Sequence, residues 1–131
     1  MIRSCSGIRR VLFFAVASAA ASLPLQAHHS FAMYDSTRTI TIEGKVKDFQ
    51  WTNPHVWIQV LVPNDKGGVD EWGVECTSVN FLTRRGWTKH TLKAGDRISV
   101  TLSPLRDGSK GGSFKGVNSL NGAPLELTPE D

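Results

Sequence analysis

Apolar and polar positions alternate along most of the chain between residues 39 and 120. In residues 39–49, Ile40, Ile42 and Val46 point one way while Thr41, Glu43, Lys45 and Lys47 point the other, the period-two signature of a half-buried strand. Gly44 falls on the apolar side at mid-strand, where glycine marks a bend or bulge. Phe49 and Trp51 then break the parity, which also calls for a bulge. Residues 55–62 predict a second strand with Val56, Ile58, Val60 and Val62 inward and His55, Trp57 and Gln59 on the opposite side. The turn-rich loop 63–68 makes a hairpin with a third strand over residues 69–76, in which Trp72, Val74 and Cys76 share one face and Glu71, Gly73 and Glu75 the other.

The pattern changes after residue 77. Ser78 predicts a helix N-cap, residues 79–85 a short helix, and Gly86 the residue that ends it. A turn at residues 92–96 leads to a fourth strand over 97–102, with Ile98, Val100 and Leu102 inward. A glycine-rich loop, residues 106–112, precedes a weaker fifth strand over 113–120, and residues 124–127 offer a short last one. Three strands, a short helix and two more strands, with a long bent first strand, predict a mainly β fold. The expected architecture is a small five-stranded OB-like (oligomer-binding) Greek-key barrel with one short helix, placed after an N-terminal signal peptide. A small open sandwich is the structural rival.

The leader is read from residues 1–27. Arg3, Arg9 and Arg10 carry positive charge with no acid, an apolar run follows over residues 11–21, and a short polar end contains Pro24. This is the three-part pattern of a secretory signal, and the apolar run falls short of the about 20 residues a spanning helix needs. Ala27 favours cleavage behind it, although Leu25 fits the small-residue rule less well. The expected layout is a signal peptide at 1–27, an N-terminal arm at 28–38 and the barrel domain at 39–128, in a periplasmic or secreted protein.

Export changes the charge argument. The full chain has a formal charge of +3, but taking Arg3, Arg9 and Arg10 from its 15 Lys and Arg leaves 12, which balances its 12 Asp and Glu. The mature chain is therefore expected to be neutral, with no basic footprint for nucleic acid. Nucleic acid is accordingly not expected as a partner, nor is a stable membrane span after processing. A metal ion, a small ligand or another envelope protein is. Cys76 is the one cysteine of the mature segment, so no internal disulfide forms there and the core must supply the stability.

Several short motifs stand out: His28-His29-Ser30-Phe31, Ile42-Glu43-Gly44-Lys45-Val46, Trp51-Thr52-Asn53-Pro54-His55 and Arg84-Arg85-Gly86-Trp87. Together they resemble a family of short exported bacterial proteins of unknown function whose mature chains open on a His-His-Ser-Phe-like motif. The resemblance implies export and a small OB-like β-barrel, and brings no activity with it.

Candidate chemistry centres on histidine. Cleavage after Ala27 makes His28 the first residue, offering an α-amine and an imidazole that can close a chelate ring on one metal ion. A third nitrogen from His55, His29 or His90 would complete a T-shaped brace, and an all-nitrogen set of this kind prefers Cu(II). The expected metal residues are His28, His29 and His55, with copper as the cofactor. The competing reading makes His28 and His29 a solvated chain end and His55 a ring bonded to backbone at a strand start. The alternative function is a metal-free module that holds a small molecule, a glycan or an envelope protein on a face built around Trp57 and the loops 63–68 and 106–112. On that reading Trp57 is a stacking platform; otherwise it covers the barrel. Arg84 and Arg85 read as solvated groups at a helix end. No nucleophile elbow, paired catalytic carboxylates or phosphate loop is present, so no enzyme is expected and no residue is assigned a catalytic role.

Overall fold

Five strands and one α-helix account for the regular structure in a computed structural model that describes residues 31–122. They are β1 (Ile40–Gln50), β2 (Trp57–Pro63), β3 (Val69–Glu75), α1 (Val79–Arg84), β4 (Arg97–Pro104) and β5 (Gly111–Ser119), preceded by a 3-10 turn at Phe31–Met33. The strands close into a barrel in the order β1-β2-β3-β5-β4. All neighbours are antiparallel except β3 and β5, which run parallel. The closed ring rules out the open sandwich and is the OB-like architecture. No helix among the described residues is long and apolar enough to cross a membrane.

The long first strand makes closure possible. Its first half pairs with β4, from Ile40 opposite Leu102 to Lys45 opposite Arg97. Its second half pairs with β2, from Lys45 opposite Leu61 to Gln50 opposite Trp57. One strand therefore serves two neighbours and must bend between them. Gly44 sits at that bend, and a Cβ there would run into the Leu61 carbonyl and come within 2.9 Å of Val60 Cγ1. The bulge follows three residues later. The ladder steps from Val46–Val60 to Asp48–Gln59, so Lys47 is an inserted residue. Inserting one residue reverses the side-chain parity, which is why Phe49 and Trp51 pack on the core although they break the alternation of residues 40–46.

Inward-facing branched residues fill the barrel. Val56, Ile58, Val60, Val74, Ile98, Val100 and Leu102 are fully buried. Trp87 is buried behind α1, set edge-on to Phe114 at 5.6 Å between centroids and 6.1 Å from Phe49. Such pairs add specific geometry to a large apolar area. Cys76 lies in this core, and burial, followed by the charge of Glu75, pushes its thiol above the usual range. It packs as a small apolar side chain.

The helix is short and capped at both ends. Ser78 Oγ accepts from the Phe81 N–H, and Asn53 Oδ1 accepts from the Val79 N–H at 3.2 Å, which ties the Asn53-Pro54 loop to the first turn. Gly86 takes a φ of 83° just beyond the C-cap Arg85, the left-handed conformation a helix stop requires. Leu82 carries the helix into the core.

Candidate functional site

Residue parity sets the outer face of the β2–β3 hairpin. Ile58 opposite Val74 points into the barrel, so Trp57 opposite Glu75 points out of it. His55 has the same parity as Trp57. A glutamate on an outer face should be solvated, yet Glu75 is only 6 % exposed. The N-terminal arm covers it. The Tyr34 Oη–H donates to Glu75 Oε2, and His55 Nδ1 pairs with Glu75 Oε1. A carboxylate only accepts, so the imidazole donates from Nδ1, which fixes its tautomer and the direction of Nε2. Three segments remote in sequence meet on one carboxylate, and each of its oxygens has a donor.

The arm is held there by backbone. Tyr34 forms an isolated antiparallel bridge to Leu105. The Asp35 N–H donates to the Pro104 carbonyl at 2.8 Å, the Arg106 N–H to the Met33 carbonyl at 3.0 Å, and Arg106 Nε to the Ala32 carbonyl at 3.0 Å. Of the aromatic and sulfur side chains at the start of the arm, Tyr34 is buried while Phe31 and Met33 stay exposed. Burial, reinforced by the hydrogen bond to Glu75 and by its charge, raises the Tyr34 phenol well above its ordinary value.

A cleft of about 400 Å³ opens beside this carboxylate. His55, Glu75 and Tyr34 form one side, and Phe31, Phe81 and Phe114 line it with Arg85. The Arg85 guanidinium lies 4.0 Å from the centroid of the Phe81 ring. Chemically, the site offers an oriented imidazole, aromatic walls and a cation in one depression.

The expected site residues divide three ways. His55 is in the site, with its Nδ1 paired to the Glu75 carboxylate. His28 and His29 lie outside the described residues, as does the expected last strand at 124–127. Among the described residues no three His, Cys, Asp or Glu side chains are grouped to hold a metal ion. His90 is exposed in the turn after α1, where its N–H donates to Thr88 Oγ1. Trp57 is half-buried next to Gly73, with Cζ3 3.8 Å from where a Gly73 Cβ would stand, and it does not line the cleft. Sequence reasoning missed Glu75 and the lining role of Arg85, and did not place Tyr34 on that carboxylate. The hairpin register carried part of the signal, because a turn at residues 63–68 places Glu75 opposite Trp57, one step from His55.

Comparison with known proteins gives a family and a fold. Residues 15–115 match a family described as a family of unknown function (DUF6152). No curated protein sequence matches the chain. Among solved structures, the Saccharomyces cerevisiae mitochondrial single-stranded DNA-binding protein Rim1 is similar at 16 % identity with a TM-score of 0.45, over 63 % of this chain and 94 % of that one. The N-terminal domain of PriB from Thermoanaerobacter tencongensis is similar at 15 % identity with a TM-score of 0.46, over 64 % and 97 %. These likenesses concern the fold. One expectation is corrected, the exclusion of nucleic acid as a partner, because it rested on formal neutrality alone. Net charge does not exclude a class whose binding also uses stacking on an open barrel face.

Proposed function

The chain belongs to this family of unknown function (DUF6152), and from that premise we propose that it is an exported, periplasmic binding protein that holds a copper ion on His55 together with His28 and His29. The observation that carries the reading is Glu75, which accepts from both His55 Nδ1 and the Tyr34 hydroxyl. Histidines that ligate metals regularly donate their other ring N–H to a carboxylate, which orients the ring and raises its basicity. Coordination by His55 would go through Nε2.

The same carboxylate ties the arm to this ring. Phe31 lines the cleft together with His55. His29 stands two residues before Phe31 in the chain. With cleavage behind Ala27, His28 adds an α-amine and an imidazole. An all-nitrogen set of this composition favours Cu(II), and an oxidising compartment keeps it in that state.

The test is titration of Cu(II) into protein whose intact mass confirms that it starts at His28. One equivalent should bind, with nitrogen couplings in the electron paramagnetic resonance spectrum. His28→Ala and His55→Ala should each abolish that signature. Glu75→Gln should leave the ligands in place but weaken binding about 10- to 100-fold, the usual effect of losing an outer carboxylate. Tight binding that survives His28→Ala or His55→Ala would sink the proposal.

A further inference from the structure

We infer that a groove beside Gly44, on the outside of the barrel, is the docking site of the chain's own acidic segment, residues 123–131. This inference goes beyond the copper reading and does not need it.

The groove follows from the way β1 is shared. Its ladder with β2 ends at Lys45 opposite Leu61, while the β2–β3 hairpin runs on to Pro63 opposite Val69. From Ile40 to Gly44, β1 pairs on its β4 side. The strands diverge there and leave a depression of about 690 Å³, lined by Leu61, Pro63, Val69 and Leu120 together with Lys45 and Arg97. Val69 is 60 % exposed and Leu120 40 % exposed, although both are large apolar side chains. Covering them removes apolar area from water.

Charge states what kind of segment fits. Lys45 stands directly opposite Arg97, and both are exposed. Like charges opposite each other on neighbouring strands repel. Glu43 is on the same lining, yet among the described residues neither cation forms an ion pair. The imbalance extends to the barrel as a whole. All 12 Lys and Arg that remain without Arg3, Arg9 and Arg10 lie within residues 31–122, whereas three of the 12 acids, Glu126, Glu130 and Asp131, lie beyond them. Nine acids against 12 bases give residues 31–122 a formal charge of +3, and the segment 123–131 carries −3.

Sequence and position name the occupant. The segment reads Ala-Pro-Leu-Glu-Leu-Thr-Pro-Glu-Asp, with Leu125 and Leu127 on either side of Glu126 and no base. In an extended chain that spacing puts both leucines on one side. The segment begins three residues after Leu120, which lines the groove and whose N–H donates to the Arg97 carbonyl at 2.8 Å. A tether this short holds a segment at an effective concentration in the mM range, roughly, so that weak contacts suffice. Leu125 and Leu127 would cover Leu61 and Val69, and the three carboxylates would offset Lys45 and Arg97.

The experiment uses the chain from His28 to Asp131 with its Leu and Val methyl groups labelled for nuclear magnetic resonance. The expected result is cross-relaxation between the methyls of Leu125 or Leu127 and those of Leu61 or Val69, unchanged on dilution. Replacing both cations, Lys45→Gln with Arg97→Gln, should weaken docking about two- to fivefold for each charge removed, the range of exposed ion pairs. High salt should act in the same direction. Native methyl positions for Val74 and Val100 verify that the variant folds. Absence of these cross-peaks in the unaltered chain overturns the inference. So do cross-peaks that keep full intensity in the double variant, or cross-peaks found only between differently labelled molecules, which would give the groove to a second copy. The copper titration is separate, so failure of either leaves the other standing.

Discussion

Glu75 shows how much one residue can organise. It sits at the end of β3 on an outward position, and its burial is made by the arm and the His55 ring. Tyr34 reports on this arrangement directly, because it is the only tyrosine in the chain. Its phenol is raised in the folded state, first by burial and then by the hydrogen bond to Glu75 and that group's charge. The neutral phenol is thus the form the fold prefers. Its contribution to stability is complete below the unfolded-state pKa of about 10 and is lost as pH rises above that value. Spectrophotometric titration should show no tyrosinate band in the native protein at pH 10, and a normal titration near pH 10 in denaturant. A native protein that titrates like the denatured one would show that Tyr34 does not dock on Glu75. The sequence marked His55 as a candidate metal ligand at the end of the Trp51-Thr52-Asn53-Pro54-His55 motif. It could not mark Glu75, because parity alone assigns an outward glutamate to water, and only the covering arm reverses that assignment.

At the scale of elements, β1 and α1 carry different loads. Gly44 is where β1 turns from β4 to β2, and an added methyl would strike the Leu61 carbonyl, a backbone atom that cannot rotate away. Gly44→Ala should cost about 1–3 kcal/mol, as overpacking does, read as a lower midpoint in urea with an unchanged slope. The N-cap is a weaker feature. Ser78 Oγ stands 3.4 Å from the Phe81 nitrogen, at the long end for a hydrogen bond, and Asn53 supports the same turn. Ser78→Ala should therefore cost only about 0.5 kcal/mol, the low end of the range for cap removal, by the same denaturation measurement. Both elements were legible in the chain: the helix from Ser78 and Gly86, the bend from a glycine on an apolar face, the bulge from the broken parity at Phe49. The bulge itself lies at Lys47, two residues earlier, because parity reports the shift only after it has happened.

At the scale of the whole molecule, closure depends on the parallel contact of β3 with β5. Gly112 stands at the joint, opposite both Val74 and Pro104, where a Cβ would overlap the Ser103 carbonyl and Leu102 Cδ1. The aromatic group of Phe49, Trp87 and Phe114 joins β1, the segment after α1 and β5 into the single core. Trp87→Ala should remove about 3–5 kcal/mol, since a large buried ring leaves a cavity that closed strands cannot collapse to fill. Calorimetry would read this as a lower transition temperature with one cooperative peak retained. A loss under 1 kcal/mol would show that the ring is not part of the common core.

What the sequence by itself determined was the set of elements and their order. Strand and helix periods are local properties, written in which side chains must leave water. That information sufficed for a mainly β barrel with one capped helix, and for His55 as a candidate site residue. The tertiary structure alone decided which outward-facing groups would meet. Tyr34, His55 and Glu75 are separated by 21 and 20 positions and share no local period. They converge because barrel closure brings the arm across the hairpin, and a buried carboxylate is tolerated only where donors arrive from other segments to replace water.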